Sequence, residues 1–396
     1  MKKTDYDIIV VGAGPAGSVT ACHAAKKGAR VLMIEKRQEI GASLRCAEGI
    51  SKEGLAKSKI VVDRSWVSAE IAGAKLVSPC GNTLRLDERN AGNEVGLVLN
   101  RHLFDKSLAA DAARAGAEIQ LKTAATGLII EDGVVRGVVG TSYGDPFKAT
   151  AKCVVGADGY ESQVGRWGGL ETTLKASDIT TCFQYRMTNI KVEPNFCEFL
   201  LGSVAPGGYA WIFPKGGDTA NVGLGVLGSR LKKKGEVKAY LDKFIKNDER
   251  LKHGQPLEAI AAAVSVSPPV EASVADGLLL VGDAARVVDP ITGGGIANGC
   301  IQGVFAGQVL GECAEAGDFS EGALQKYEKM WRDALENKLW RNWMVKEKLI
   351  TLPDKTLDDI VKVLSESDLK TMSVYSLLAA LKENLPELVK EFQEFI

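Results

Sequence analysis

Hydrophobic positions open the chain as two short runs with a run of small residues between them. Tyr6 to Val11 (Y-D-I-I-V-V) is nearly continuous and apolar, the pattern of a strand buried on both faces of a parallel sheet. Ser18 to Lys27 is small and helix-compatible, and Gly28 suits its stop. Ala29 to Ile34 is a second apolar strand that ends in Glu35. Similar buried strands are predicted to run into Gly156-Ala157-Asp158-Gly159, with Ser162 and Arg166 following at helical spacing, and into Gly282-Asp283 after Leu278. Between these two lie alternating stretches such as Thr180–Arg186, which read as antiparallel strands. Arg230-Leu231-Lys232-Lys233-Lys234 leads into a helix over Val237 to Phe244; it reads as a solvated face, with attraction to lipid headgroups as the lesser alternative. From about Ser320 the pattern is helical. Tyr327, Trp331, Leu335 and Leu339 recur every four residues, and Trp340, Trp343 and Met344 continue the stripe. Packing onto the N-terminal domain explains this stripe; capping a hydrophobic tunnel or resting at a membrane interface is the sharper alternative. Leu357–Leu364 and Val374–Leu381 are further amphipathic helices, the second ended by Asn384-Leu385-Pro386.

Gly12-Ala13-Gly14-Pro15-Ala16-Gly17 joins the first strand to the first helix and completes a dinucleotide fingerprint in its proper context. Gly12 permits the tight turn, Gly14 lets a pyrophosphate reach the backbone, and Gly17 lets the helix lie close to the strand. The helix start offers unpaired N–H groups and a positive dipole end. Glu35, at the tip of the second strand, is placed to accept from ribose hydroxyls. Lys36 and Arg37 could hold a 2′-phosphate that Glu35 would repel, so NAD, NADP and FAD all remain open on this motif.

Composition removes other classes. The chain has 396 residues, 49 Lys+Arg against 50 Asp+Glu, 45% hydrophobic and 25% charged positions. That balance suits a folded chain of two or three domains and carries no basic footprint for nucleic acid. No apolar run approaches the ~18 residues of a membrane span, and Met1-Lys2-Lys3-Thr4-Asp5 enters the first strand with no signal peptide. Eight scattered cysteines without a C-x-x-C read as reduced, buried thiols of a cytosolic protein. With only His23, His102 and His253, no metal-ligand cluster is expected; G-x-S-x-G and P-loop motifs are absent. Chemistry must come from carboxylates, a thiol, hydroxyls or a bound cofactor.

The fingerprint, the G-A-D-G segment and the L-V-G-D-A-A segment together resemble the para-hydroxybenzoate-hydroxylase-fold FAD enzymes over the first ~320 residues. The resemblance implies an α/β fold: a discontinuous Rossmann-like FAD-binding domain (1–75, 95–170 and 272–320), an inserted antiparallel-sheet substrate domain (76–94 and 171–271), and a C-terminal helical segment (321–396). It implies that Asp283 contacts the ribityl chain and that Arg101, in an R-x-x-F-D-x-x-L helix with Phe104, Asp105 and Leu108, lies near the flavin phosphates and ribityl. A backbone contact to adenine falls near Ala125, and the helix start at Gly295 and Ile296 faces the flavin edge or phosphates.

Four stretches are similar to the geranylgeranyl reductase family of archaea, which includes the digeranylgeranylglycerophospholipid reductases. They are Leu44-Arg45-Cys46-Ala47-Glu48-Gly49, Pro206 to Lys215 with Asn221-Val222-Gly223-Leu224-Gly225, Asp289 to Ile296, and Arg341-Asn342-Trp343 with Lys346-Glu347-Lys348. Ala47 stands where the family has Gly, a departure of little weight if only backbone touches the flavin there; Cys46, Ala47 and Gly49 are then cofactor contacts. The implied reaction saturates isoprenoid double bonds of membrane-lipid precursors. Tyr209, Trp211 and Phe213 share one strand face. That pattern also suits ordinary core packing, but the neighbouring Pro206-Gly207-Gly208 favours a substrate slot. An isolated alkene is not electrophilic, so hydride delivery needs a proton at the other carbon. Cys46, Tyr209, Glu48 or water are the candidate acids, and Tyr209 and Trp211 the aromatic faces that stabilise developing positive charge. The reductant is open among ferredoxin, a reduced deazaflavin and a nicotinamide. A cytoplasmic enzyme touching the inner face of the membrane peripherally is expected. An aromatic-ring monooxygenase or a flavin-binding redox partner on the same scaffold are the competing readings.

Overall fold

The computed structural model describes residues 5–42, 46–87, 95–367 and 374–392. Its first sheet has eight strands. Tyr6–Val11 lies at its centre, parallel to Asp145–Gly156 on one side and Val31–Ile34 on the other. Ile8, Ile9 and Val10 have no exposed surface, which is why that run shows no alternation. Glu118–Gln120 pairs beyond Val31–Ile34, Leu278–Leu280 beyond Asp145–Gly156, and Val274–Ala275 closes that edge antiparallel. The register is decisive for function. Val11 stands opposite Gly156 and Ile34, and Gly156 opposite Leu280. The three glycine-bearing turns that follow these strands, and Glu35, therefore emerge side by side at the carboxyl ends of parallel strands, where open α/β sheets bind ligands. The start of Asp145–Gly156 departs from this sheet core to pair with Val134–Ser142, which in turn pairs with Thr123–Glu131.

The second sheet runs in the order Gln255–Ser265, Ile179–Thr188, Thr219–Leu227, Tyr209–Gly216, Phe196–Leu200, Gly73–Val77, Thr83–Leu86. Its strands alternate. Ala210, Ile212, Val222, Leu224 and Val226 point to one face and pack with Val237, Leu241 and Phe244 of the helix Glu236–Asn247. Cys182, Gln184, Tyr209, Trp211 and Phe213 point to the other, toward the first sheet. A small third sheet, Gly49–Ser51 with Gly96–Leu99 and Val67–Ile71, bridges the two.

The C-terminal stripe differs from a single regular helix. Glu321–Trp331 passes through a π-helical turn, Arg332–Glu336, into Asn337–Leu349. The turn resets the phase, so Tyr327, Trp331 and Leu339 are buried in the core of the first domain while Trp340 is 41% exposed and meets Trp343 edge-on at 5.4 Å. The Tyr327 hydroxyl donates to the Leu280 carbonyl, and the Trp331 indole N–H donates to Ser273 Oγ at 2.9 Å. Asp354–Glu366, Val374–Lys382 and Pro386–Phe392 close over Leu84 and Leu86 of the second sheet's edge strand. Among the described residues no helix is long and apolar enough to cross a membrane. The expectation of buried thiols is corrected at three positions: Cys80 is exposed in the turn between Gly73–Val77 and Thr83–Leu86, and Cys46 and Cys182 are half-buried because they border a cavity.

Asp7, the second residue of the central strand, accepts from the Arg30 backbone N–H at 2.9 Å and Nε at 3.2 Å and pairs with Lys152 Nζ at 3.0 Å. Burial works to raise its pKa, but the hydrogen bonds from Arg30 and the Lys152 charge outweigh it and hold the carboxyl at about 2 against an ordinary 3.8. A depressed folded pKa contributes stability that is fully present above the unfolded value and is lost as pH falls through the folded one. With allowance for the half-exposed Arg30, Asp7→Asn is expected to cost about 1–2 kcal/mol at neutral pH. In urea titrations the gap from the parent should narrow between pH 3.8 and 2; a gap that stays constant through that window would contradict this assignment.

Candidate active site

The fingerprint turn is built by contact. Gly12 has φ +111°, and a Cβ on it would stand 2.4 Å from the Ala157 carbonyl oxygen of the neighbouring motif. A Cβ on Gly17 would lie 2.0 Å from the Gly12 oxygen. Gly14, by contrast, faces open space, with nothing within 4 Å of where its Cβ would be. Glu35 secures the turn: Oε2 accepts from the Ala13 N–H at 3.1 Å and Oε1 from the Arg37 N–H at 3.0 Å. The result is a backbone cradle, open above Gly14, at the start of the helix Pro15–Lys26.

A cavity of about 360 Å³ runs from this cradle to the front of the second sheet. Gly14, Ala16, Gly17, Glu35, Cys46, Ala47, Gly49, Arg101, Asp283, Gly295, Ile296, Tyr209 and Trp211 all line it. Gly12 lies beneath it as the turn's support. Ala125 does not line it: its strand pairs with Val134–Ser142, opposite Gly140, and the residue packs on the core. Asp283 stands in the turn after Leu278–Leu280; burial raises its carboxyl pKa against the pull of Arg101. Arg101 itself is held by Asp105 through Nε–Oδ1 at 2.6 Å and Nη2–Oδ2 at 2.8 Å. Next to Asp283 begins the long helix Ile296–Ala316, whose first turn faces the same space. Cradle, buried acid and helix start fit a bound dinucleotide with a ring system extending past Asp283. Among the described residues no His/Cys/Asp/Glu group could hold a metal.

The far wall is aromatic. Trp211 lies flat enough over its neighbour that a Cβ on Gly223 would sit 2.5 Å from the indole Cζ2, so only glycine fits there. Phe199 meets Tyr209 and Phe213 edge-on at 5.5 and 5.3 Å. The Trp211 indole N–H donates to Gln184 Oε1 at 2.8 Å, and Gln184 Nε2 donates to the Cys46 carbonyl at 3.2 Å. The aromatic wall and the Cys46 loop are thus linked through one amide. Leu44 and Arg45 of the same sequence motif lie outside the described residues.

Among the candidate acids, Cys46 keeps a protonated thiol: burial raises its pKa, with Arg101 working in the opposite direction. Glu48 is corrected. It is completely buried, and its carboxylate takes Lys215 Nζ at 2.7 Å, Asn221 Nδ2 at 2.7 Å, Arg186 Nη2 at 3.2 Å and the Arg101 backbone N–H at 3.0 Å. Burial alone would raise its pKa, but Lys215 and these donors depress it, so it is an ionised anchor with no proton to give. The Tyr209 hydroxyl donates to the Thr292 carbonyl, so its proton is engaged. That loop is held in turn by Asp289, whose Oδ1 accepts from Ile291 and Thr292 N–H at 3.0 and 3.2 Å and whose Oδ2 accepts from Asn342 Nδ2 at 2.7 Å. Sequence reasoning missed Gln184, Arg186, Lys215 and Asn221. Their signal was parity: each falls on the inward-facing period of its strand, Lys215 in step with Tyr209, Trp211 and Phe213, Gln184 and Arg186 in step with Cys182, and Asn221 in step with Gly223 and Gly225.

A nucleotide-binding Rossmann unit facing an apolar, aromatic sheet across a thiol-bearing loop defines an oxidoreductase of the flavin-dependent fold class. The NAD(P)-binding Rossmann-like domain family matches residues 10–57, and the geranylgeranyl reductase catalytic domain family matches residues 178–264. The digeranylgeranylglycerophospholipid reductases of Thermoplasma volcanium and Methanocella arvoryzae are 48% and 49% identical, over 99% and 98% of both chains. A solved structure from Thermoplasma acidophilum, described as geranylgeranyl bacteriochlorophyll reductase-like, superposes with TM-score 0.94 at 47% identity over 99% of both chains. The flavin-dependent brominase Bmp2, in a triple-mutant form, shares the fold alone: TM-score 0.72 at 18% identity, over 97% of this chain and all of the other. The chain belongs to the digeranylgeranylglycerophospholipid reductase family.

Proposed function

We propose that this protein is an FAD-dependent reductase that saturates geranylgeranyl double bonds of archaeal membrane-lipid precursors. One observation carries the proposal: the dinucleotide cradle opens, past Asp283 and Cys46, directly onto the apolar face bearing Tyr209, Trp211, Phe213, Cys182 and Ala262. An oily wall within reach of the cofactor suits a hydrocarbon chain and offers a polar aromatic substrate few partners. We assign the cofactor to the unit around the eight-stranded sheet and the lipid to the seven-stranded sheet.

In its reduced form the bound flavin supplies a hydride. The chain's own groups do the rest. The backbone N–H groups of Ala16 and Gly17 and the Glu35 carboxylate would hold the adenosine diphosphate end; Asp283 and Arg101 would hold the ribityl stretch. Trp211 and Tyr209 present their faces to the alkene, where they exclude water and stabilise positive charge as it develops. The Cys46 thiol gives its proton to the second alkene carbon: a C–H bond forms as S–H breaks, and the thiolate recovers a proton from water. The two electrons come from the reduced cofactor, which an external donor (ferredoxin, reduced deazaflavin or nicotinamide) must restore. We place the enzyme in the cytoplasm, meeting its lipid peripherally at the membrane. The test is anaerobic incubation of the dithionite-reduced, flavin-loaded protein with digeranylgeranylglycerophospholipid. Product masses rising in steps of two hydrogens are expected; unchanged lipid with oxidisable flavin still bound would refute the proposal.

A further inference from the structure

We infer that Glu48 is the positioning residue for the Cys46 thiol: its carboxylate, gripped from the second sheet by Lys215, Asn221 and Arg186 and from the cofactor side by the Arg101 N–H, fixes the Cys46–Gly49 loop between the two domains and sets a negative charge beside the sulfur. This rests on the reading of Cys46 as the proton donor.

The backbone supports it first. Glu48 has φ +76°, in the left-handed region where glycine is the default and other residues carry backbone strain. Its side chain is fully buried and meets donors from three strands and one helix start, up to 173 residues away in sequence. The loop's main chain is seized by the same partners: Asn221 Nδ2 also donates to the Ala47 carbonyl at 3.1 Å, and the Glu48 N–H points at Cys46 Sγ at 3.1 Å. Asn221 is itself fully buried and turns both donors toward the loop, leaving its own Oδ1 without a partner. That orientation is costly unless holding the loop is its purpose.

Charge supports it second. The charged and titratable groups around Cys46 are Arg101 with its partner Asp105, Glu48, Lys215 and the Cys182 thiol, with Arg186 behind Glu48 and paired also to Glu258 at 3.2 Å. Arg101 and Lys215 favour a thiolate. The Glu48 N–H favours the thiolate as well, whereas its carboxylate charge opposes all three; the carboxylate, held in place by its donors, is thus the part of Glu48 that favours the proton on sulfur.

Alkylation of the flavin-loaded protein by iodoacetamide at pH 8, read at the Cys46 peptide by mass, tests this without turnover. Glu48→Gln and Glu48→Gly are both expected to raise the Cys46 rate about tenfold, the effect of lowering a thiol pKa by about one unit. Lys215→Met is expected to leave it unchanged or lower it. The proposal is overturned if Glu48→Gly behaves like the parent, since relief of the backbone alone would then account for the loop. It is equally overturned if Lys215→Met accelerates alkylation as the Glu48 variants do, the mark of simple loosening, or if no variant changes the rate. Because the rate reads thiol ionisation, Glu48 can fail this test while Cys46 remains essential for reduction, and the reverse.

Discussion

Gly17→Ala is expected to produce a colourless protein. The added methyl would stand 2.0 Å from the Gly12 carbonyl oxygen and 3.0 Å from Ala157 Cβ. The first of these is backbone and cannot swing aside. The helix Pro15–Lys26 must therefore retreat by roughly 1 Å or more in an interior packed to crystal-like density. Its N–H groups then no longer converge on the phosphates, and dinucleotide affinity should fall at least about 100-fold, equivalent to ~2.7 kcal/mol. Gly14→Ala is the informative partner. Its methyl meets nothing in the protein itself, so the chain should keep its thermal midpoint while the methyl fills the place of the pyrophosphate. Bound-flavin absorbance per protein, measured beside the melting temperature, separates the two: both variants lose colour, and only Gly17→Ala loses stability. A yellow Gly14→Ala protein with full flavin content would mean that the phosphates do not lie over this turn.

Cys46→Ala is expected to lower the rate of double-bond reduction by about 10²–10⁴, the usual range for losing a positioned acid. The thiol is the cavity group that combines a retained proton with a place between the cofactor cradle and the aromatic wall. Flavin content should stay near that of the parent, because the nearby Ala47 and Gly49 backbone is unchanged. Cys46→Ser should recover little, since a hydroxyl is a far weaker acid. Single-turnover lipid reduction by pre-reduced enzyme isolates the chemical step; a loss under threefold would assign proton delivery to water.

The cofactor cradle was legible in the sequence because its signals are local. Strand, glycine turn, helix, strand and acid occupy thirty consecutive positions, and each glycine has a steric task that no other residue performs. The aromatic row was legible through period-two alternation, and the C-terminal stripe through period-four recurrence, although nothing in the residues Arg332–Glu336 announced the π turn that shifts its phase. The state of Glu48, one of four candidate acids on sequence, was not legible for the opposite reason. Its ionisation depends on Lys215, Asn221 and Arg186, more than a hundred positions downstream, and only the juxtaposition of the two sheets brings them to it. Ala125 sits on the strand Thr123–Glu131, whose first residue donates its N–H to the Glu35 carbonyl at 2.9 Å beside the cradle.

The order of strands in the first sheet has a consequence for synthesis on the ribosome. Tyr6–Val11, made first, finds one neighbour in Asp145–Gly156, and that strand finds its own in Leu278–Leu280, secured by Tyr327. The nascent N-terminal strand meets Val31–Ile34 early, but its other flank stays open until Asp145–Gly156 emerges, and the edge of that strand stays open in turn until Leu278–Leu280 is made. Co-translational chaperones and early capture of nucleotide by the emerging fingerprint should matter more for this polypeptide than for one that finishes each layer before starting the next.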